Sequence, residues 1–147
     1  LFRVNEWIWN CGERGCRGDP IENPPVTLVG LRATQGEPIF IPTRDPEIYV
    51  GNYKALVLHA TLDRLTIAYT RDDTAAIGYV VHFEEIDVDP ALVTLYQRLD
   101  AAGRDRLPAL RNGERLGNAS SNVVKVAIRD TGSFMEPRSR KDWWMRY

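Results

Sequence analysis

The stretch Leu65–Asp89, with the sequence LTIAYTRDDTAAIGYVVHFEEIDVD, determines the fold that we predict for this chain. Two apolar runs with period-two alternation flank a polar, charged turn, which is the pattern of two strands joined by a turn. Asp89 and Pro90 follow as a helix N-cap and a proline at the first helical position. The sequence therefore predicts a strand–turn–strand–helix unit at the centre of the chain.

One amphipathic helix is predicted over residues 90–102. Its apolar residues recur at the spacing of a buried helical stripe, and Gly103 is placed to end it. The stripe consists of Leu92, Leu95, Tyr96 and Leu99.

The rest of the chain carries strand signals. Alternating or β-branched runs occupy 26–31, 53–60 and 123–129, and the prolines around 38–42 favour an edge strand. Asn112-Gly113 is a strong turn signal. We predict one mainly β domain over 1–147, an antiparallel β-sandwich or barrel with one helix. Residues 1–25 supply an N-terminal strand and a cysteine loop, and 138–147 supply a C-terminal tail.

The charge balance argues against nucleic-acid binding, and the short apolar runs argue against a membrane-spanning helix. The 147 residues include 19 Lys and Arg against 20 Asp and Glu, so the net charge is −1. This balance gives no electrostatic reason to expect a nucleic-acid partner. Apolar runs stay well below the ~20 residues that a membrane-spanning helix needs. We therefore predict neither nucleic-acid binding nor a membrane span.

The two cysteines, Cys11 and Cys16, lie in the segment CGERGC. A short spacer of this kind can close into a disulfide loop in an oxidising compartment, and the alternative is two reduced thiols. A zinc site would need two more ligands, and the sequence has no second cysteine pair. We expect a disulfide, no cofactor, and an extracellular or cell-envelope location.

Tryptophans supply the main binding candidates. Trp7 and Trp9 share a strand face, where indoles either stack on sugar rings or, more commonly, pack in the core. Trp143 and Trp144 lie in a basic tail that either binds an anionic or sugar-containing partner or folds back on the domain. The predicted ligand-binding residues are Trp7, Trp9, Trp143, Trp144, Arg138 and Arg140.

Catalytic signals are weak. His59 and His82 each lie inside an apolar strand and are interpreted as structural. No serine lies in a G-x-S-x-G motif. Carboxylates offer the one enzymatic alternative, a hydrolase that uses Asp72, Glu85 and Asp87. A turn and a solvated strand end explain the same residues without catalysis.

Four segments in order resemble the LytM-type peptidoglycan metallopeptidase domain. They are GYVVHFE (78–84), TLYQRL (94–99), LRNGERLG (110–117) and VKVAIRDTGSFMEP (124–137). The resemblance implies a small antiparallel β-sandwich or barrel that would bind zinc through two His and one Asp.

This chain departs from the family pattern at the positions that supply the metal ligands. Tyr96-Gln97-Arg98-Leu99 stands where the family's Y-A-H-L supplies a histidine, and Val123-Val124-Lys125-Val126 stands where its H-x-H supplies a ligand. A His-to-Asp ligand pair is missing before Gly36, and our predicted helix covers a segment that is a strand in the family. The resemblance therefore implies an inactive relative that is kept for binding or assembly.

The leading hypothesis is a non-enzymatic recognition or structural module at a cell surface, which binds a glycan or a protein through exposed aromatics. The alternatives are the carboxylate-dependent hydrolase and a subunit of a larger, oligomeric extracellular assembly.

Overall fold

The computed structural model describes residues 1–13, 15–23, 27–71, 78–130, 133–139 and 143. Its elements follow one another in this order: β1 (Phe2–Arg3), β2 (Asn5–Ile8), β3 (Cys16–Pro20), β4 (Thr27–Arg32), β5 (Pro38–Phe40), β6 (Tyr53–Ala60), β7 (Arg64–Ala68), β8 (Val80–Glu84), β9 (Ile86–Val88), α1 (Pro90–Ala101), β10 (Ala109–Arg111), β11 (Arg115–Ala119), β12 (Val123–Asp130), β13 (Ser133–Met135) and a 3₁₀ turn, Pro137–Ser139.

The strands form three antiparallel sheets. The long sheet has the order β1-β4-β12-β8-β7-β6-β10, with β13 added to β12, and the short sheet has the order β5-β11-β9. Strands β2 and β3 form a separate two-stranded sheet. The described strands do not close into a barrel, and a mainly β, sandwich-like fold with one helix is confirmed. The edge position predicted for the proline-bounded strand is also confirmed, because β5 lies at one end of the short sheet.

The central hairpin that the sequence predicted is present. Strands β7 and β8 pair antiparallel, with Leu65 opposite Phe83 and Thr66 opposite His82. The connecting turn, including Asp72, lies outside the described residues.

The prediction of one continuous second strand in this unit is wrong at Glu85. This residue has a φ of 63°, which interrupts the strand, and the chain then leaves the long sheet. Residues 86–88 continue as β9, which pairs with β11 in the short sheet. The chain crosses between layers here because Ile86 and Val88 bury their side chains between the sheets.

Helix α1 spans Pro90–Ala101 and confirms the predicted helix to within one residue. The Asp89 carboxylate accepts a hydrogen bond from the Ala91 N–H, as the N-cap signal indicated. Val93 and Tyr96 are buried against the core, which places α1 beside the long sheet.

One apolar core lies between the long sheet, the short sheet and α1. Its fully buried members come from alternate positions of the central strands, including Val57, Leu65, Ile67, Val81 and Val126. The opposite face of the long sheet carries the remaining positions, among them His82 and Thr66. That second face holds a small apolar cluster of Leu58, Ala68 and Val80.

The Asn112-Gly113 turn forms as predicted, with Gly113 at a φ of 78°. It does not join two paired strands, because β10 pairs with β6 whereas β11 pairs with β5 and β9. The turn therefore connects the two layers of the sandwich.

Candidate functional site

The first candidate site is the aromatic hairpin, which we define as β2, β3 and the loop between them. Trp7 pairs with Arg17 and Ile8 pairs with Cys16 across the two strands. The Cys11 and Cys16 sulfurs lie at disulfide-bonding distance, with their Cα atoms 5.5 Å apart. This confirms the predicted pairing and closes the end of the hairpin.

The tryptophans of the hairpin are exposed. Trp9 exposes 82% of its surface and Trp7 exposes 50%, so the expectation that such a pair packs in the core is wrong here. The physical reason is topological, since β2 and β3 form their own sheet outside the core. Trp7 lies over Gly15, where an added Cβ would be 2.4 Å from the indole Nε1.

Two polar side chains, Arg17 and Asn5, lie near Trp7. Arg17, opposite Trp7, donates from Nη2 to the Asn5 Oδ1 at 2.6 Å, and Asn5 Nδ2 donates to the Gly18 carbonyl at 2.8 Å. The register shifts between Asn5 and Trp7, and the Arg17–Asn5 hydrogen bond brings the Asn5 amide next to the residue that pairs with Trp7. The sequence analysis missed Asn5 and Arg17. Their separation of 12 residues becomes a contact only when β2 pairs with β3.

The predicted binding residues of the C-terminal tail have different environments where the structure describes them. Trp143 is 3% exposed and its Nε1 donates to the Pro137 carbonyl at 2.8 Å, so this indole has no free face for a ligand. Arg138 is exposed and pairs with Glu136 at 2.8 Å. Arg140 and Trp144 lie outside the described residues. The tail folds back on the domain at Trp143, which was the alternative interpretation of its aromatics.

The three carboxylates proposed for a hydrolase, Asp72, Glu85 and Asp87, do not lie together on one strand of the described structure. Glu85 lies at the break between β8 and β9, whereas Asp87 lies within β9. Glu85 pairs with the Lys125 Nζ at 3.1 Å, Asp87 is exposed in β9, and Asp72 is not among the described residues. Within the described ranges, no three His, Cys, Asp or Glu side chains are grouped closely enough to hold a metal ion.

The second candidate site is a cavity of about 160 Å³ on the second face of the long sheet. Strands β4, β8 and β12 form its floor, whereas Val4 and the β13 residue Phe134 lie beside it. We call it the His82 cavity; it is lined by Val4, Leu28, His82, Glu84, Ala127 and Phe134.

His82 is the most unusual polar group in the described part of this cavity. Its Nδ1 lies 3.0 Å from the Thr66 Oγ1, and Thr66 is itself 8% exposed. Its Nε2 is buried and has no hydrogen-bond partner among the described residues. The ring also contacts the Phe134 ring at a centroid distance of 5.9 Å.

Burial, followed by the positive charge of Arg129 and the neighbouring His59, lowers the pKa of His82 to about 4. The imidazole is therefore neutral at pH 7. The sequence analysis interpreted His82 as structural, and strand alternation did place it opposite the core-facing Val81 and Phe83. The cavity itself could not be found from the sequence, because Val4, Leu28 and Phe134 reach it from three distant segments.

No helix in the described part of the chain is long and apolar enough to cross a bilayer. Comparisons of this chain with protein-family models, with curated proteins and with solved structures found no match. The resemblance to LytM-type peptidases therefore stays a prediction that rests on its four motifs.

Proposed function

We propose that this protein is a non-enzymatic, extracytoplasmic recognition module that binds a glycan through the aromatic hairpin. The observation that supports the proposal is the exposure of Trp9 (82%) and Trp7 (50%) on a hairpin that is closed by a cysteine pair. An indole face packs favourably against the C–H groups of a sugar ring. Contiguous exposed apolar patches often mark binding sites, and Trp7, Ile8 and Trp9 are three consecutive exposed apolar residues.

The chemistry beside the indoles suits a sugar. Arg17, the partner of Trp7 across the strands, supplies a guanidinium, and Asn5 supplies an amide in contact with it; both groups can hydrogen-bond sugar hydroxyls. The Arg17–Asn5 contact holds the two polar groups in place before a ligand arrives. Aromatic side chains with a few fixed polar groups are typical of small-ligand sites, and fixing those groups in advance lowers the cost of binding.

The cysteine pair supports the extracytoplasmic part of the proposal, because disulfides persist in oxidising compartments. It also stiffens the site. A two-stranded hairpin is marginally stable by itself, and closing its end reduces the conformational freedom that binding would otherwise remove.

The test is a glycan array probed with the labelled protein, followed by co-sedimentation with the polysaccharide that gives the strongest signal. We expect Trp9→Ala and Trp7→Ala to weaken binding about tenfold or more each, the loss typical of a central aromatic contact. Phe40→Ala is the matched control. Phe40 is 51% exposed, but it lies on the short sheet.

An array without a bound spot, or binding that survives both tryptophan substitutions, contradicts the glycan proposal. The subunit hypothesis gives a different result: a mass in size-exclusion chromatography with light scattering above that of the 16.7 kDa monomer, reduced by the same substitutions. The hydrolase hypothesis predicts turnover of the bound polysaccharide that is lost in Asp87→Asn.

A further inference from the structure

We propose that Gly15 is a positioning residue, which holds the Trp7 indole as the fixed stacking platform of the aromatic hairpin, so that glycan binding depends on this glycine as well as on the indole. The inference rests on the proposed function, but the contact that carries it can be tested in the free protein. That contact is the close approach of the Trp7 ring to Gly15.

The Trp7 indole lies against the backbone at Gly15. A Cβ on this residue would lie 2.9 Å from the indole Cε2, 2.9 Å from the Ile8 carbonyl oxygen, and closer still to the indole Nε1. Any side chain at this position would therefore push the ring away. Gly15 also has a φ of 77°, which residues with a Cβ rarely adopt. Sterics and backbone conformation thus both require glycine here.

The register of the hairpin brings the two residues together. Trp7 pairs with Arg17, and Gly15 lies two residues before Arg17, so it is the diagonal neighbour of Trp7 across the strands. Diagonal neighbours are within reach of large aromatic side chains. The Cys11–Cys16 pair closes the loop that contains Gly15 and holds this residue at the start of β3.

The two indoles of the hairpin differ in their support. Trp7 exposes half of its surface, whereas Trp9 exposes 82%. An indole that is already held in place loses less conformational freedom on binding than one that moves freely in solvent. Trp7 is therefore the preorganised platform of the site, and Trp9 is the contact that adapts to the bound sugar.

A second glycine of the hairpin shows that the contact is specific to Gly15. A Cβ on Gly18 would lie 3.1 Å from the Ile8 Cγ1 and 3.3 Å from the Glu6 Cβ, and the indole is not among its nearest neighbours. A substitution at Gly18 thus crowds the hairpin without displacing Trp7, which makes it a control for general damage to the two strands.

The first measurement is NMR of the free, full-length, isotope-labelled protein. We expect a nuclear Overhauser effect between the Gly15 Hα protons and the Trp7 Hε1 proton. Gly15→Ala should shift the Trp7 indole N–H resonance, because the added methyl group displaces the ring. Gly12→Ala is the matched control, since Gly12 lies in the same loop at a φ of 70° and has no atom within 4 Å of an added Cβ. It should leave that resonance unchanged.

The second measurement is calorimetric titration with cellohexaose, or with the hexasaccharide that the glycan array shows to bind more tightly. Equatorial hydroxyls leave C–H groups free on both faces of each glucose ring, so these rings can stack on an indole. We expect Gly15→Ala to weaken binding about fivefold or more, and Gly12→Ala and Gly18→Ala to change it by about twofold or less.

A double-mutant cycle separates displacement of the indole from other effects of the added methyl group. Trp7→Phe replaces the indole by a smaller ring, which leaves room beside residue 15. In the Trp7→Phe background, Gly15→Ala should therefore weaken binding by about twofold or less, because the group that it displaces is gone.

The outcomes distinguish this inference from the glycan proposal. If the unaltered protein and Gly15→Ala bind the hexasaccharide equally well, the role of Gly15 is overturned and the glycan proposal stands. If the unaltered protein binds no oligosaccharide, the glycan proposal fails and the binding role of Gly15 fails with it. A missing Overhauser effect between Gly15 and Trp7 in the unaltered protein overturns the positioning role even if Gly15→Ala does not fold.

Discussion

Thr66 and His82 face each other across strands β7 and β8, and the Thr66 hydroxyl oxygen lies 3.0 Å from the His82 Nδ1. This contact lies on the second face of the long sheet, away from the main core. It holds a neutral, half-buried imidazole beside a cavity. The pair thus joins the two central strands of the long sheet through their side chains.

The first prediction concerns acid stability. Burial lowers the folded-state pKa of His82 to about 4, below the unfolded value of 6.5. The unfolded chain therefore binds more protons between these values, so the stability from neutral His82 is complete above pH 6.5 and is lost as the pH falls toward 4. The full loss is about 3 kcal/mol.

Urea unfolding across pH 4 to 7 measures this loss, and His82→Asn is the matched variant because it keeps a polar group near the Nδ1 position and does not titrate. We expect its free energy of unfolding to vary less with pH than that of the unaltered protein. Equal pH dependence of the two proteins would show that other groups, such as carboxylates, cause the acid sensitivity.

The second prediction concerns the hydroxyl of Thr66. Thr66→Val keeps the branched shape but leaves the buried Nδ1 without a partner, which should lower the free energy of unfolding by about 1–3 kcal/mol. Thr66→Ser keeps the hydroxyl and is the control. Imidazole NMR of the valine variant should lose the single defined tautomer of His82. A valine variant as stable as the serine variant would contradict the role assigned to this hydrogen bond.

The third prediction concerns the contact between β9 and β11 at Gly117. A Cβ on Gly117 would lie 2.1 Å from the Asp87 carbonyl oxygen and 2.8 Å from the Val88 Cα, and both are backbone atoms that cannot rotate away. Gly117→Ala should therefore separate these strands and destabilise the protein by several kcal/mol, on the order of 3 or more.

Gly36→Ala provides the comparison for that steric cost. Gly36 has a φ of 83° and no atoms within 4 Å of an added Cβ, so the substitution adds only backbone strain of about 1 kcal/mol. Thermal unfolding of the two variants measures the difference. Similar melting temperatures would show that β9 and β11 are not packed as described.

The fourth prediction concerns the cysteine pair. The disulfide spans five positions, from Cys11 to Cys16, and a loop of this size contributes about 2 kcal/mol by restricting the unfolded hairpin. Replacing both cysteines by serine should increase hydrogen exchange in β2 and β3, with little change in β7 and β8, because the hairpin is a separate sheet. Faster exchange throughout the long sheet would instead show that the hairpin supports the core.

Local sequence signals predicted much of this fold. The β7–β8 hairpin and helix α1 depend on period-two alternation, helical spacing and the Asp89-Pro90 cap, which act over a few residues and can be recognised in one segment. The Cys11–Cys16 pair is equally local, because a short loop keeps the two thiols close. The break at Glu85 was missed, since the pairing that draws residues 86–88 into a second sheet comes from β11, some thirty residues later along the chain.

The sequence by itself determined the β7–β8 hairpin, the helix and the loop that the cysteines close, because neighbouring residues along the chain specify them. Only the tertiary structure decided which aromatics are exposed and where a cavity forms. Trp7 and Trp143 have the same side chain, yet one is half exposed and the other is buried at 3%. The hairpin that carries Trp7 pairs outside the two layers, whereas the tail returns to them. Burial depends on which segments pack together, and that is a property of the folded chain as a whole.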